Sequence, residues 1–171
     1  QDILEESSFN VISEYCEIPT SFRAEKKAEK PGPVVAVIAE YDALPNIGHG
    51  CGHNLIAASS VVAGLAVGEL IGNLSGTIVI IGAPAEEKGG GKALLVERGA
   101  FKDVDVAMIC HPSTDMTVRH RCLGWESIRL TFHGRASHSS VAPEKGINAL
   151  NALIETFNSI NALRQHVMPD V

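Results

Sequence analysis

Residues 34–54 read VVAVIAEYDALPNIGHGCGHN, and this stretch decides the expected fold. The run from Val34 to Ala39 is continuous and β-branched, which is typical of a strand buried on both faces of a mainly parallel sheet. Imidazole and thiolate are the ligands that a zinc-like ion prefers, so the loop after this strand predicts a metal site. Four candidate ligands lie on that loop: Asp42, His49, Cys51 and His53.

Two more strands repeat the same arrangement. Residues 76–83 (GTIVIIGA) predict a second buried strand that leads to Glu86 and Glu87, and residues 104–110 (VDVAMIC) predict a third that leads to His111. In open α/β sheets, sites form at the carboxyl ends of the strands. We therefore expect all three groups of polar residues to meet at one edge of the sheet.

The helix and the second part of the chain complete the expected architecture. Residues 54–71 are apolar nearly all round, which predicts a core helix, and the apolar segment 55–68 is short for a membrane span. Residues 126–133 alternate like an antiparallel strand, and residues 146–166 predict an amphipathic helix. The sequence thus predicts an α/β domain over residues 1–121, with a mainly parallel sheet flanked by helices. The start of a smaller α+β domain is expected over residues 122–171.

Composition narrows the class of protein. The chain has 171 residues, 45% hydrophobic and 20% charged, with a net charge of −6 and no basic stretch interleaved with aromatics. These features exclude neither an enzyme nor a metal-binding domain, but they argue against a nucleic-acid partner and against a membrane protein. The four cysteines, at positions 16, 51, 110 and 122, are few and irregularly spaced, which favours a reducing cytoplasm.

Each candidate residue also has an ordinary structural explanation. Cys51 can pack as a small hydrophobe beside a helix-starting His53, although the neighbouring polar residues make metal ligation the better interpretation. His49 can orient the loop through a hydrogen bond, and Asp42 can be a ligand, an acceptor that holds the ligands in place, or the cap of a turn. His120, His166, Cys16 and Cys122 belong to no cluster, so an ordinary structural role is the better interpretation of each.

Ordinary explanations also exist for the adjacent glutamates, Glu86 and Glu87, and for the histidine at position 111. Adjacent glutamates in a loop are usually solvent-exposed charge, but beside a metal one can ligate while the other takes a proton from an activated water. A lone histidine such as His111 is more often a core residue, so its weight comes from its position at a strand end. His138, in the polar loop RASHSS, can reach a substrate.

Four motifs together resemble the dinuclear metallopeptidase-type amidohydrolases. They occur in family order: AEYDALPNIGHGCGHNLIA, GAPAEEKGGGK, MICHP and GRASHSSVAPEKGINALNA. This family includes aminoacylases, carboxypeptidase-G-like enzymes and indole-acetyl-amino-acid hydrolases. The resemblance is greatest to the aminobenzoyl-glutamate hydrolase and indole-acetyl-amino-acid hydrolase branch, with the related dipeptidases.

The resemblance implies a role for each of these residues. Cys51, His53, Glu87 and His111 would be ligands of two divalent ions, zinc or manganese with cobalt as a further candidate. Glu86 would be the general base, and His138 would reach the active site of a partner subunit to polarise the scissile carbonyl. Asp42 and His49 would hold the ligands in place. The resemblance further implies that Asn148 lies near the carboxylate of the substrate.

The resemblance also implies an activity, a partner and an incomplete chain. The expected reaction is hydrolysis of the amide bond of an N-acyl amino acid, an aminobenzoyl-glutamate-like compound or a small dipeptide. The expected assembly is a homodimer through the lid domain. A last histidine ligand and the second half of the catalytic domain would lie beyond Val171, so the 171-residue piece is expected to be inactive alone. The alternative function is a metal-stabilised binding domain or a family member without turnover.

Overall fold

The computed structural model describes residues 1–118, 124 and 126–168. The chain divides into two compact units, Gln1–Met116 and Thr117–Val171. The predicted domain boundary between residues 121 and 122 lies outside the described residues and stays a prediction. His120 and Cys122 lie outside them as well.

The first unit alternates strands with helices. In chain order its described elements are α1 (Asp2–Glu6), β1 (Asn10–Ser13), β2 (Phe22–Lys27), β3 (Lys30–Glu40), α2 (His53–Leu70), β4 (Ser75–Ala83), α3 (Glu86–Gly89), α4 (Gly91–Glu97) and β5 (Val106–Met108). Single turns of 3-10 helix follow β1 and α2, at Tyr15–Glu17 and Ile71–Asn73. The predicted strand and helix positions are confirmed for β3, α2 and β4.

The described strands form one five-stranded sheet in the order β1-β2-β4-β3-β5. Strand β3 pairs in parallel with β4 on one side and with β5 on the other. Strand β2 is antiparallel to both β1 and β4, so it alone runs against the other four. The predicted α/β class with a mainly parallel sheet is confirmed, and the carboxyl ends of β3, β4 and β5 lie at the same edge.

Helix α2 connects β3 to β4, and the face that packs on the sheet includes three small residues. Its buried face is a helix-spaced row: His53, Ile56, Ser60, Gly64 and Gly68. The Ser60 hydroxyl donates to the carbonyl of Ile38 at 2.8 Å. A Cβ at Gly64 would clash with Cδ1 of Ile80, so this glycine permits the close approach of helix and sheet. The approach brings His53, in the first turn of the helix, over the end of β3.

The predicted core helix, α2, packs on the core with one side, and its other side is exposed. Leu55, Val62 and Leu70 are 60%, 63% and 57% exposed, whereas Val61, Leu65 and Val67 are partly buried and pack against the core beneath the helix. The segment His53–Asn73 is long and apolar enough to span a membrane by length and composition, with a mean hydropathy of 1.9. A single such helix is weak evidence for a span, and the expectation of no membrane partner stays a prediction.

Strand β5 also differs from its prediction. It has three residues rather than the seven of the predicted strand, and Val106 and Met108 are 49% and 50% exposed rather than buried. Among the described residues β5 has a neighbour, β3, on one side only, so half of its surface stays open. Its end nevertheless leads to His111, as the sequence predicts.

A buried arginine joins the sheet to the turn after α4. Arg23, on β2, is 5% exposed and donates from both Nη atoms to the Asp103 carboxylate, at 2.6 and 3.0 Å. It also pairs with Glu25 at 3.2 Å and donates to the Tyr15 hydroxyl. The hydrogen bonds from Arg23 outweigh the effect of burial and hold the pKa of Asp103 below its ordinary value. This pair therefore stabilises the fold only while Asp103 is ionised.

The second unit contains one α-helix among its described residues, α5 (Ala149–Leu163), followed by a 3-10 turn at Arg164–His166. The Asn148 side chain caps α5 by accepting from the Leu150 N–H at 3.0 Å. The predicted strand over residues 126–133 is wrong, because those residues form no strand and the described part of this unit offers none to pair with. A stripe of apolar side chains on α5 is exposed: Leu150, Leu153, Ile154, Phe157, Ile160 and Leu163.

The Arg23–Asp103 pair predicts a pH dependence of stability. Folding lowers the pKa of Asp103, so the ionised pair contributes to stability at pH values above the pKa of the unfolded chain, which is about 4. This contribution is lost as the pH falls through the lower pKa of the folded protein. Asp103→Asn should therefore lower the urea midpoint at pH 7, and the gap to wild type should close on acidification. Urea unfolding of the complete protein from pH 7 to pH 3 measures this.

The exposed Glu69, on the outer face of α2, provides the control. Glu69→Gln should leave the urea midpoint near that of wild type throughout. A gap for Asp103→Asn that stays constant or widens on acidification would contradict the account.

Candidate metal centre

The carboxyl ends of three strands and the start of one helix deliver the candidate residues to one place. Strand β3 ends at Glu40 and continues to Asp42, and β4 leads through a short turn to Glu86 and Glu87. Helix α2 begins at His53, with Cys51 two residues earlier, and β5 leads to His111. The structure brings two sets of ligand atoms within 4.8 Å of one another: Cys51, His53 and His111, and His53, Glu86 and Glu87. His53 belongs to both sets.

His53 is fully buried, and its imidazole orientation is fixed by the backbone. Its Nδ1 lies 3.0 Å from the carbonyl oxygen of Asp42, which can only accept, so Nδ1 carries the proton. The lone pair is therefore on Nε2, which has no hydrogen-bond partner among the described residues. A buried nitrogen acceptor without a donor is costly unless a cation binds to it.

Three carboxylates surround Nε2 of His53. The nearest oxygens of Glu40, Glu86 and Glu87 lie 3.7, 3.7 and 3.9 Å from it. These distances are too long for hydrogen bonds. They fit two ligand atoms that share one ion, since ligands each about 2.1 Å from zinc lie roughly 3–4 Å apart. The buried Glu87 Oε1 likewise has no hydrogen-bond partner among the described residues. The residues present fit a divalent cation.

Asp42 supports the glutamates rather than pointing its two oxygens into the cluster. Its Oδ2 accepts from the backbone N–H of Glu87 at 3.0 Å, and its Oδ1 lies 3.4 Å from His53 Nδ1. Burial alone would raise the pKa of Asp42, but hydrogen bonds from the N–H groups of Glu87 and Glu86 lower it, and the net shift is downward. Asp42 is thus an ionised anchor that fixes both the imidazole and the start of α3.

Cys51 and His111 form the other side of the cluster. Cys51 Sγ lies 3.9 Å from Nε2 of His111, whose Nδ1–H donates to the carbonyl of Pro112 at 2.8 Å. His111 therefore uses the same tautomer as His53 and presents its Nε2 to the cluster. Burial and the charges of Glu87, Glu86 and Asp42 raise the pKa of the Cys51 thiol. A bound cation would reverse that effect and displace the thiol proton.

Gly52 allows these two sides to meet. It lies between Cys51 and His53 with φ at +79°, a conformation that glycine adopts without strain. A Cβ at this position would lie 2.9 Å from Pro112 Cγ. The glycine therefore turns the chain into α2 and also lets the loop after β5 approach closely enough for His111 to face Cys51.

A strained turn holds Glu86 and Glu87. Ala85 has φ at +58°, and its carbonyl accepts from the N–H groups of Gly89 and Gly91. A Cβ at Gly91 would clash with the carbonyl oxygen of Pro84, so only glycine fits there. Left-handed alanine costs on the order of 1–2 kcal/mol and persists only where surrounding contacts impose it. The turn points both carboxylates toward His53.

Two other predicted residues belong to neither set of ligand atoms. His49 is exposed, and the structure gives its imidazole no hydrogen bond to a described residue; its carbonyl accepts from the Gly52 N–H at 3.1 Å. His138 belongs to the second unit. Its Nδ1 accepts from the Ser140 N–H at 3.3 Å, so its Nε2 carries the proton, and the residue is exposed.

Sequence reasoning missed Glu40 and Lys92. Glu40 is 1% exposed and contacts the ammonium of Lys92, which lies in the first turn of α4. The sequence signal was available for Glu40, because a charged residue closes an otherwise apolar buried strand. No comparable signal marked Lys92, since a lysine at a helix start is ordinarily solvent-exposed.

Comparison with known proteins agrees with this geometry. Residues 36–169 match the model of the peptidase family M20/M25/M40. The Xaa-Arg dipeptidase of Mus musculus is 38% identical over 89% of this chain, and one of the p-aminobenzoyl-glutamate hydrolase subunits of Escherichia coli is 32% identical over 96%. The chain spans 37% and 38% of the length of these two proteins.

A solved structure shares the fold. The YXEP protein of Bacillus subtilis, described as a dinuclear metal binding peptidase, matches with a TM-score of 0.57 at 30% identity. The match covers 67% of this chain and 36% of that one. The resemblance found in the sequence motifs is confirmed, and the chain belongs to the peptidase family M20/M25/M40.

Proposed function

We propose that the complete protein hydrolyses the amide bond of an N-acyl amino acid or a small dipeptide with the help of two divalent ions. One observation carries the proposal: the buried Nε2 of His53 faces three carboxylates and shares its surroundings with Cys51 and His111. A purely structural zinc site has four closed ligands and needs no additional acid. Here Glu86 and Glu87 both face the same nitrogen, which leaves one carboxylate for proton transfer.

The two sets of ligand atoms share His53, whose one free nitrogen, Nε2, can bind only one of the two ions. Cys51, His111 and Glu87 are the other proposed ligands, with Glu87 rather than Glu86 chosen from the carboxylate pair. Thiolate, imidazole and carboxylate together suit zinc or manganese, and also cobalt. Bound ions would supply Lewis-acid polarisation of the scissile carbonyl and make a water molecule easier to deprotonate. Cys51 must stay reduced to bind, which accords with a cytoplasmic protein.

Glu86 is the proposed general base. Its side chain is 38% exposed while that of Glu87 is 15% exposed, so Glu86 is the carboxylate that water and substrate can reach. It would accept a proton from the attacking water and donate it to the leaving amine nitrogen. Glu87, more deeply buried and fixed through its N–H by Asp42, suits the static role of ligand.

The names of the relatives support the proposed substrate class. Those matched are a dipeptidase and an aminobenzoyl-glutamate hydrolase, and a further relative, from Bacillus subtilis, is an N-acetylcysteine deacetylase. All three names describe cleavage of an amide bond next to an amino acid. A hydrolysis panel of aminobenzoyl-glutamate, acyl-amino acids and dipeptides with a C-terminal arginine would identify the substrate among these.

We also propose a homodimer in which His138 acts on the partner's substrate. The exposed apolar stripe of α5 supports an interface, since Phe157 and Leu150 are 68% and 60% exposed in the described unit. The tautomer of His138, with its proton on Nε2, suits donation to a carbonyl oxygen as negative charge develops there.

Replacing Glu86 tests the proposed base. Glu86→Gln should retain bound metal and lower kcat by roughly 10²–10⁴-fold, because a positioned general base contributes that much. Metal content by atomic emission and kcat on the best panel substrate are the measurements. Glu97→Gln, an exposed acid on α4, is the matched control and should behave as wild type. Full activity of Glu86→Gln with metal retained would show that Glu86 is not the base.

A mixing experiment tests the role of His138. Glu86→Gln and His138→Ala should each be nearly inactive, and subunit exchange between them should restore about one quarter of wild-type activity. Half of the dimers would then be mixed, and one of their two sites would combine an intact Glu86 with an intact His138. Mixing Glu86→Gln with a Glu86→Gln/His138→Ala double variant is the control and should restore none. No recovery in the first mixture, with exchange verified by mass, would contradict action across subunits.

A further inference from the structure

A buried ion pair lies beside the proposed metal centre and belongs to none of the predicted roles. Glu40, the last residue of β3, is 1% exposed. Its Oε1 contacts the ammonium of Lys92, and its Oε2 lies 3.7 Å from Nε2 of His53. One carboxylate thus joins a lysine on α4 to the imidazole at the centre of the site.

The arrangement is expensive unless the charges are compensated. A buried carboxylate without a partner destabilises the folded state, and a nearby ammonium offsets that effect. Lys92 approaches from the first turn of α4, directly after Gly91, whose lack of a side chain lets that turn pack against the carbonyl of Pro84. The same strained turn that holds Glu86 and Glu87 therefore also brings Lys92 to Glu40.

We propose that Lys92 limits the metal affinity of the site by neutralising Glu40. This inference rests on the proposed metal centre, and it assigns Lys92 and Glu40 as residues that tune it. Without Lys92, the Glu40 carboxylate is an unbalanced negative charge 3.7 Å from the nitrogen that binds the ion, and it attracts the cation more strongly. Without Glu40, the positive charge of Lys92 remains and repels the cation.

The two single substitutions therefore have effects of opposite sign. Lys92→Met should tighten zinc binding and Glu40→Gln should weaken it, each by about a hundredfold or more, as expected for a unit charge several ångströms from a divalent ion at an effective dielectric constant of about 20. The double variant Lys92→Met/Glu40→Gln restores the net charge of the pair and should bind zinc with nearly wild-type affinity. Lys92→Arg keeps the positive charge and should do the same.

A purely structural ion pair predicts a different pattern. If the pair only ties α4 to β3, each single substitution lowers the melting temperature of the metal-free protein, and zinc affinity falls or stays constant in both. Tighter binding by a destabilised Lys92→Met variant cannot follow from loosened packing. The sign of the change for Lys92→Met therefore distinguishes tuning of the metal from tethering of the helix.

The experiment is a zinc titration of the metal-free complete protein against a chelator of known affinity, with melting temperatures recorded in parallel. It covers wild type, Lys92→Met, Glu40→Gln, the double variant and Lys92→Arg. Lys102→Met removes a lysine charge from the exposed turn after α4 and serves as the control for charge loss in general. Its zinc affinity should equal that of wild type.

The outcomes separate this inference from the proposed function. Opposite shifts for the two single variants, with recovery in the double variant, support the tuning role. Shifts in the same direction, or none, overturn it while leaving the metal centre intact as long as wild type binds zinc. If wild type binds no zinc, manganese or cobalt, the proposed function fails as well. If Glu40→Gln does not fold, the zinc affinities of Lys92→Met and Lys92→Arg still show whether loss of the lysine charge tightens binding.

Discussion

The site depends on the hydrogen bond between His53 and the backbone of Asp42. Because Nδ1 of His53 donates to the Asp42 carbonyl at 3.0 Å, its Nε2 is left as a bare acceptor facing three carboxylates. The Asp42 side chain meanwhile fixes Glu87 through its N–H. A single residue in the loop after β3 thus orients one proposed nitrogen ligand and one proposed oxygen ligand. Replacing the Asp42 side chain would free the Glu87 N–H but keep the carbonyl that accepts from His53, so the two contacts depend on different parts of this residue.

Much of the fold and the site was predictable because the signals are local. A β-branched run such as residues 34–39 reports a buried strand, and parallel strands bring their carboxyl ends to one edge, so Cys51, His53, the glutamate pair and His111 were expected to meet. The structure brings their ligand atoms together. Their chemical roles as ligands and base remain predictions, since proximity alone does not assign them.

What the sequence did not reveal depends on neighbours distant in the chain. The exposure of β5 and the lack of a strand at residues 126–133 reflect missing pairing partners among the described residues, which a local hydrophobic pattern cannot report. The contact between Glu40 and Lys92 joins the end of β3 to the first turn of α4, which follows the strained turn at Ala85. The helix propensity of the sequence around Lys92 does not indicate this contact. The sequence of α2 is apolar almost all round and so does not show which side packs on the sheet. In the structure that side includes the small residues Ser60, Gly64 and Gly68.

The most direct test of the central claim is the position of bound metal in a crystal of the complete protein grown with zinc. An anomalous difference map should show a peak about 2.0–2.1 Å from Nε2 of His53, with Nδ1 still bonded to the Asp42 carbonyl. A second peak should lie within bonding distance of Cys51 or of the glutamate pair. Zinc bound elsewhere, or coordinated through Nδ1 of His53, would contradict the account.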